Sequence, residues 1–136
     1  MKLYALSLFW LSLNAYHEAR GEPIGGQIAV CHVVMNRVAN RGKSIQEVII
    51  ESDQFSWTIG IDPLKKPINN PEAFLGCMVS AAICLGQRSL GNIYKGADHY
   101  FNPNIVRPKW ARSMVFIARN GNHDFYRDDK RRPKYL

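Results

Sequence analysis

Apolar residues crowd the start of the chain and thin into alternating patterns toward its end. Residues 3–20, LYALSLFWLSLNAYHEAR, read as a helix that is apolar on most sides and hence largely buried. Gly21 suits its C-terminal end, and Pro23 disfavours helical backbone at Glu22. A second helix is predicted to start near Pro23, because proline is comfortable in a first turn. Ile24, Ile28, Cys31, Met35 and Val38 supply its apolar stripe. Residues 40–43 form a turn, and Ser44 caps a short helix with Glu47 closing a capping box. Residues 51–71 hold glycine and proline breaks and read mainly as loop. A third substantial helix is expected over 71–85, ended by Gly86. Then come a turn around residues 90–92, an extended segment at 98–101 and a breaker at Asn102-Pro103. Residues 114–117 suit a strand, Gly121-Asn122-His123 a turn, and residues 123–127 a last strand. Helices first and short strands later describe an α+β domain, helices packed with a small antiparallel sheet.

Length and composition add one domain, residues 1–136. With 46% hydrophobic residues and no repeat or low-complexity segment, the chain can build a single core. Its 18 Lys+Arg against 11 Asp+Glu give a formal charge of +7, which attracts polyanions: nucleic acid, anionic lipid or anionic envelope polymers. Zinc-finger spacing, RNA-recognition aromatics and basic-zipper heptads are all missing, so no specific nucleic acid is expected as partner. The basic tail (Arg127, Lys130, Arg131, Arg132, Lys134) reads as a solvated end.

Cys31, Cys77 and Cys84 are odd in number and lack a CxxC. On one helix Cys77 and Cys84 would stand roughly 10 Å apart, too far for a disulfide. Reduced, packed thiols and folding in a cytoplasm are expected. Met1-Lys2 followed by LYALSLFWLSL has the look of a secretory signal, and is too short to span a bilayer. The run flows without a break into NAYHEARGEP, so it is read as the first core helix. Neither a cleaved leader nor stable membrane insertion is expected.

The chemistry concentrates at His17-Glu18-Ala19-Arg20-Gly21-Glu22. Near a helix C-terminus the carbonyls disfavour a further negative charge, and partial burial beside Tyr16 pushes the Glu18 pKa upward. A carboxyl still protonated near neutrality is what glycosidic cleavage needs, because the leaving oxygen must receive a proton. From these six residues alone, a surface ion pair of Glu18 with Arg20 explains the letters somewhat better. His17-Glu18 opens like HExxH, but Gly21 stands where the second imidazole belongs. His17, His32, His99 and His123 remain free to assemble in space as a zinc amidase site, with Asp98 or Asp124. Cys31 beside His32 has no nucleophile–base geometry of its own.

Residues 13–37, LNAYHEARGEPIGGQIAVCHVVMNR, closely resemble the opening motif of the SleB/CwlJ-type cell-wall hydrolases, a family of spore cortex-lytic enzymes that also occurs in bacteriophages. The resemblance continues through IQEVIIESDQFS (45–56), GADHYFNP (96–103), PKWA (108–111) and GNHDFYR (121–127). It implies a compact domain related to lysozyme-like lytic transglycosylases, acting on peptidoglycan glycan strands without cofactor or metal. The acid/base of its Y-x-E-A-R-G-E motif falls on Glu18. The second acidic residue falls on Glu22, grouped with it at the catalytic site as a support for fold or charge. Gln54, Phe55 and Ser56, with Tyr100, Phe101 and Asn102, look like walls of the glycan groove. Departures stand at His17, where many members carry glycine, and at Asp98, where a small or hydroxyl residue is usual.

A retaining glycosidase needs two carboxyls about 5–5.5 Å apart and an inverting one about 6.5–9.5 Å. A lytic transglycosylase needs one. The resemblance favours the latter, with simple muramidase hydrolysis left open. Trp57, Tyr100, Gln54 and Asn102 suit sugar faces and hydroxyls, Trp57 above all from its loop, whereas Phe101, Phe116 and Phe125 are expected in the core. The expected setting is a phage endolysin made in the host cytoplasm and acting on the wall. A zinc-dependent amidase and a non-catalytic basic wall- or nucleic-acid-binding module are the alternatives.

Overall fold

The computed structural model describes residues 2–51, 55–90 and 94–131. Helix α1 spans Lys2–Ala19, α2 Ile24–Arg41, α3 Ile45–Ile50 and α4 Pro71–Ser89. Strands β1 (His99–Phe101), β2 (Val115–Asn120) and β3 (His123–Arg127) form one antiparallel sheet in the order β1-β3-β2. The expected helices-then-sheet architecture is the one observed. Among the described residues no helix is long and apolar enough to cross a membrane.

Local chemistry accounts for most helix ends. Gly42 stops α2 at φ 63°, a left-handed geometry that glycine adopts without steric cost, and its N–H reaches Val38 O. The helix thus runs through Asn40 and Arg41, which the sequence alone suggested as turn. The Ser44–Glu47 capping box forms as expected, each bond 3.1 Å. Gly86, by contrast, does not end α4, which continues to Ser89. Interior glycine costs only about 1 kcal/mol, and Cys84 and Leu85 anchor the last turns in the core.

Two apolar clusters share the interior. The larger joins α1, α2, α3 and α4 through side chains such as Leu11, Tyr16, Val34, Ile49 and Ala81. The smaller lies under the sheet and contains Ala19, Ala29, Val30, Val33, Ala97 and Phe125. Tyr100 packs against both. Of the three phenylalanines expected inside, Phe125 is fully buried, Phe101 is partly so, and Phe116 is 53% exposed. Phe116 pairs with Tyr126 in the sheet and stacks edge-on against its ring, on the face away from the core.

Two bonds from consecutive α2 residues staple the sheet to the helices. Asn36 Nδ2 donates to Ala97 O at 2.7 Å, and Arg37 Nε donates to Asp98 O at 2.8 Å. Asp98, the unusual residue of its block, is buried. Its Oδ1 accepts from Asp128 N and contacts His99 Nδ1, each at 2.9 Å. It ties the entry of β1 to the exit of β3 rather than facing a ligand.

Candidate active site

Glu18 occupies the last turn of α1, one residue before Ala19 enters the smaller cluster. The carbonyls that end this helix are occupied. Ala19 O accepts from Glu22 N at 2.9 Å, and Tyr16 O from Arg20 Nη1 at 3.3 Å. The Tyr100 hydroxyl, brought in by β1, donates to Glu18 Oε1. Burial pushes the Glu18 carboxyl above the ordinary carboxylate range, against the opposing pulls of the Tyr100 hydroxyl and of the Arg37 and Lys66 charges. Burial and the nearby Glu18 charge push the Tyr100 phenol upward too, so it stays protonated and donates.

The expected perturbation of Glu18 is therefore present, with desolvation as its main cause. Arg37 was not among the residues singled out from sequence. Its buried guanidinium lies 5.1 Å over the Phe55 ring and contributes positive charge beneath the site. It lies at the end of the first motif block, and no spacing rule marks it.

Glu22 is turned away into a separate set of bonds. Asn122 N and Nδ2 each donate to its carboxylate at 3.0 Å, and His123 Nδ1 lies 2.8 Å from Oε1. Its side chain is 7% exposed. The His123 ring packs edge-on against Tyr100 with centroids 5.0 Å apart. Burial lowers the His123 pKa despite the neighbouring Glu22 and Asp124 charges. Glu22 thus fixes His123, His123 borders Tyr100, and Tyr100 holds Glu18.

A cleft of about 420 Å³ opens at the end of α1, lined by Tyr16 and His17 of that helix, by Arg20 just after it, and by Ser56, Trp57 and Lys66. Glu18 is not itself in the lining; it follows His17 in the chain and feels the charge of Lys66 on the cleft wall. The cleft rim is fixed where Tyr16 Oη accepts from Asn70 N at 3.0 Å. Ser56 is exposed there, as a groove residue should be. Trp57 lines the cleft as expected, but from a buried position. It is 4% exposed, its Nε1 donates to Asn14 Oδ1 at 2.9 Å, and its ring stacks on His17 at 4.5 Å. It belongs at once to the lining and to the larger core cluster, in a short 3-10 turn over Ser56–Thr58. Phe55, at 1% exposure, belongs to the core altogether and cannot stack on a sugar. Asn102 directs its Oδ1 to Asn104 N at 2.9 Å, a turn-forming bond outside the cleft lining. Gln54 lies outside the described residues.

The four histidines have separate partners. His17 stacks on Trp57, His32 Nε2 meets Gln87 Oε1 at 2.7 Å, His99 meets Asp98, and His123 meets Glu22. Among the described residues no three His, Cys, Asp or Glu side chains are grouped to hold a metal ion. Cys31, Cys77 and Cys84 are free and buried. Cys31 and Cys84 come close enough across α2 and α4 to influence each other's ionisation, a proximity hidden in the sequence spacing.

Comparison with known proteins places this geometry. The spore cortex-lytic enzyme of Bacillus cereus is 30% identical over 125 residues, 90% of this chain and 45% of that protein. The enzyme of the same name from Halalkalibacterium halodurans is 33% identical over 112 residues, 81% of this chain and 31% of its own length. The chain thus spans less than half the length of these curated relatives. Among solved structures, the catalytic domain of the germination-specific lytic transglycosylase SleB from Bacillus anthracis superposes with TM-score 0.67 at 24% identity, over 89% of this chain and 93% of that one. The catalytic domain of the Bacillus cereus SleB protein gives TM-score 0.64 at 26% identity, over 90% and 91%. The fold is therefore that of these lysozyme-like domains. The Cell Wall Hydrolase family model matches residues 21–126, most of the sequence, and the chain belongs to that family.

Proposed function

We propose that this protein cleaves the MurNAc–GlcNAc backbone of peptidoglycan as a lytic transglycosylase, with Glu18 as its single acid/base. The observation that carries the reading is the Glu18 carboxyl, its hold on a proton strengthened by burial, bonded to Tyr100 and next in the chain to the cleft residue His17. The name of the Bacillus anthracis neighbour supports it.

Tyr100 donates to Oε1, which leaves Oε2 to carry the transferable proton. Glu18 delivers that proton to the glycosidic oxygen as the bond from the anomeric carbon breaks. The resulting carboxylate, steadied by Tyr100, accepts the proton of the muramic C6 hydroxyl while its oxygen bonds to the anomeric carbon. A 1,6-anhydro end forms and no water is consumed. Glu22, with both oxygens engaged, serves as a brace for His123 and the hairpin rather than as a second reacting carboxyl. The proposed setting is an endolysin made in a bacterial cytoplasm and acting on the wall, which accords with three free, buried thiols.

Glu18→Gln is expected to lower lysis of purified peptidoglycan by about 10²–10⁴-fold with thermal unfolding intact. Undiminished lysis removes Glu18 from the reaction. Mass spectrometry of the released fragments reads the chemistry: anhydro ends for transglycosylation, reducing ends for hydrolysis, free stem peptides for an amidase.

A further inference from the structure

The cleft at the end of α1 carries charge that breaking a glycosidic bond does not require. Arg20 and Lys66 both line it, and among the described residues no acidic side chain does. Among the described residues neither cation has a carboxylate within ion-pair distance. Arg20 is held in place. Its Nη1 donates to Tyr16 O, and its guanidinium sits 4.9 Å over the Tyr16 ring. Lys66 Nζ reaches Trp57 O at 3.5 Å. The remaining polar lining is neutral: Ser56, Asn69 and Asn70. His17, between the two cations, has its pKa lowered to about 4 by burial, then by Lys66, then by Arg20. It is uncharged at neutral pH, so the positive field in the cleft belongs to the other two.

A backbone of N-acetylated sugars is neutral. Carboxylates enter peptidoglycan on the lactyl arm of the muramic residue, either as the free lactyl group or through the stem peptide joined to it. We infer that Arg20 and Lys66 form a carboxylate subsite that takes an acid group carried on this arm. Arg20 supplies a planar fork and Lys66 a point charge, the usual pairing for such an anion. A volume of about 420 Å³ accommodates the arm with an attached residue. The subsite rests on the glycan-cleaving reading and adds to it which strands are preferred.

The test uses soluble glycan strands in three forms: with stem peptides, with the peptides removed to leave lactyl carboxylates, and with all carboxylates coupled to methylamine. The wild-type protein should favour charged over methylamidated strands by about tenfold in kcat/KM, the weight of one charge-assisted bond. That ratio should fall toward one in Arg20→Gln and Lys66→Gln and survive in Lys66→Arg. Taking the ratio cancels the effect of Lys66 on Glu18 acidity, which acts on every substrate alike. The better of the two charged forms identifies the source of the carboxylate. Equal wild-type rates on charged and neutral strands overturn the subsite, as does a ratio unmoved in both glutamine variants. Should no strand be cut, the glycan reading fails separately. The subsite is then judged by the Trp57 indole N–H resonance, titrated with N-acetylmuramic acid and with its methylamide. Tighter binding of the acid, weakened in both glutamine variants, supports it; equal binding of the two overturns it.

Discussion

At the scale of single residues, the site is a contest over one proton. Burial raises the Glu18 pKa while the Tyr100 hydroxyl lowers it. Tyr100→Phe removes the lowering influence, so the protonated, active carboxyl persists to higher pH and the alkaline limb of the activity profile should move upward. Its kcat should fall about tenfold, because the carboxylate left after proton transfer loses a charge-assisted donor. A limb that stays in place would sever the link between the phenol and the acid. The same shift has a sign in stability. A carboxyl that binds its proton more tightly folded than unfolded loses stability as pH rises through its raised pKa. Glu18→Gln should therefore unfold with a weaker pH dependence over that range, read from urea midpoints at several pH values. Glu18 was singled out in the sequence only through motif blocks spread over the chain, since its neighbours on one helix turn fitted a surface ion pair as well. The burial of Phe55 and Trp57 was not legible there, because a loop of polar and aromatic letters does not reveal which rings face inward. Asn14, the partner of Trp57, lies 43 positions away.

At the scale of elements, the α1–α2 corner and the β2–β3 turn act as one unit. Gly121 has φ 60°, and a Cβ there would stand 3.0 Å from Pro23 Cδ and 3.2 Å from Glu22 Oε2. Gly121→Ala should cost about 1–2 kcal/mol from the left-handed backbone alone, with crowding added, measured by urea denaturation. Lowered activity should accompany it, since the turn positions His123 against Tyr100. The elements were themselves largely readable. Proline at helix starts, the capping box and alternation in the last strand are local signals, and local signals fix element type. Gly86 misled because helix length there is decided by packing between α4 and its neighbours. The outward Phe116 misled for a similar reason: the register shift between Phe116 and Ala118 decides which residues face the core.

At the scale of the molecule, the formal charge of +7 is spread over a domain whose proposed substrate is anchored in an anionic wall. Lysis of whole walls should therefore weaken between low and physiological salt, whereas cleavage of methylamidated soluble strands should change far less. Equal salt dependence would assign the positive charge to solubility alone. The grouping of helices and hairpin into one architecture came from motif blocks in fixed order, but the bonds that unite them are long-range and invisible to periodicity. The paired anchors from Asn36 and Arg37 to the backbone at residues 97 and 98 matter most here. Sixty-one positions of chain separate each donor from its acceptor, yet together they peg the acid's helix bundle and its phenol-bearing strand to a common frame. Slackening either peg would let the phenol drift from the acid, so wear at this distant joint would be felt at the reacting proton.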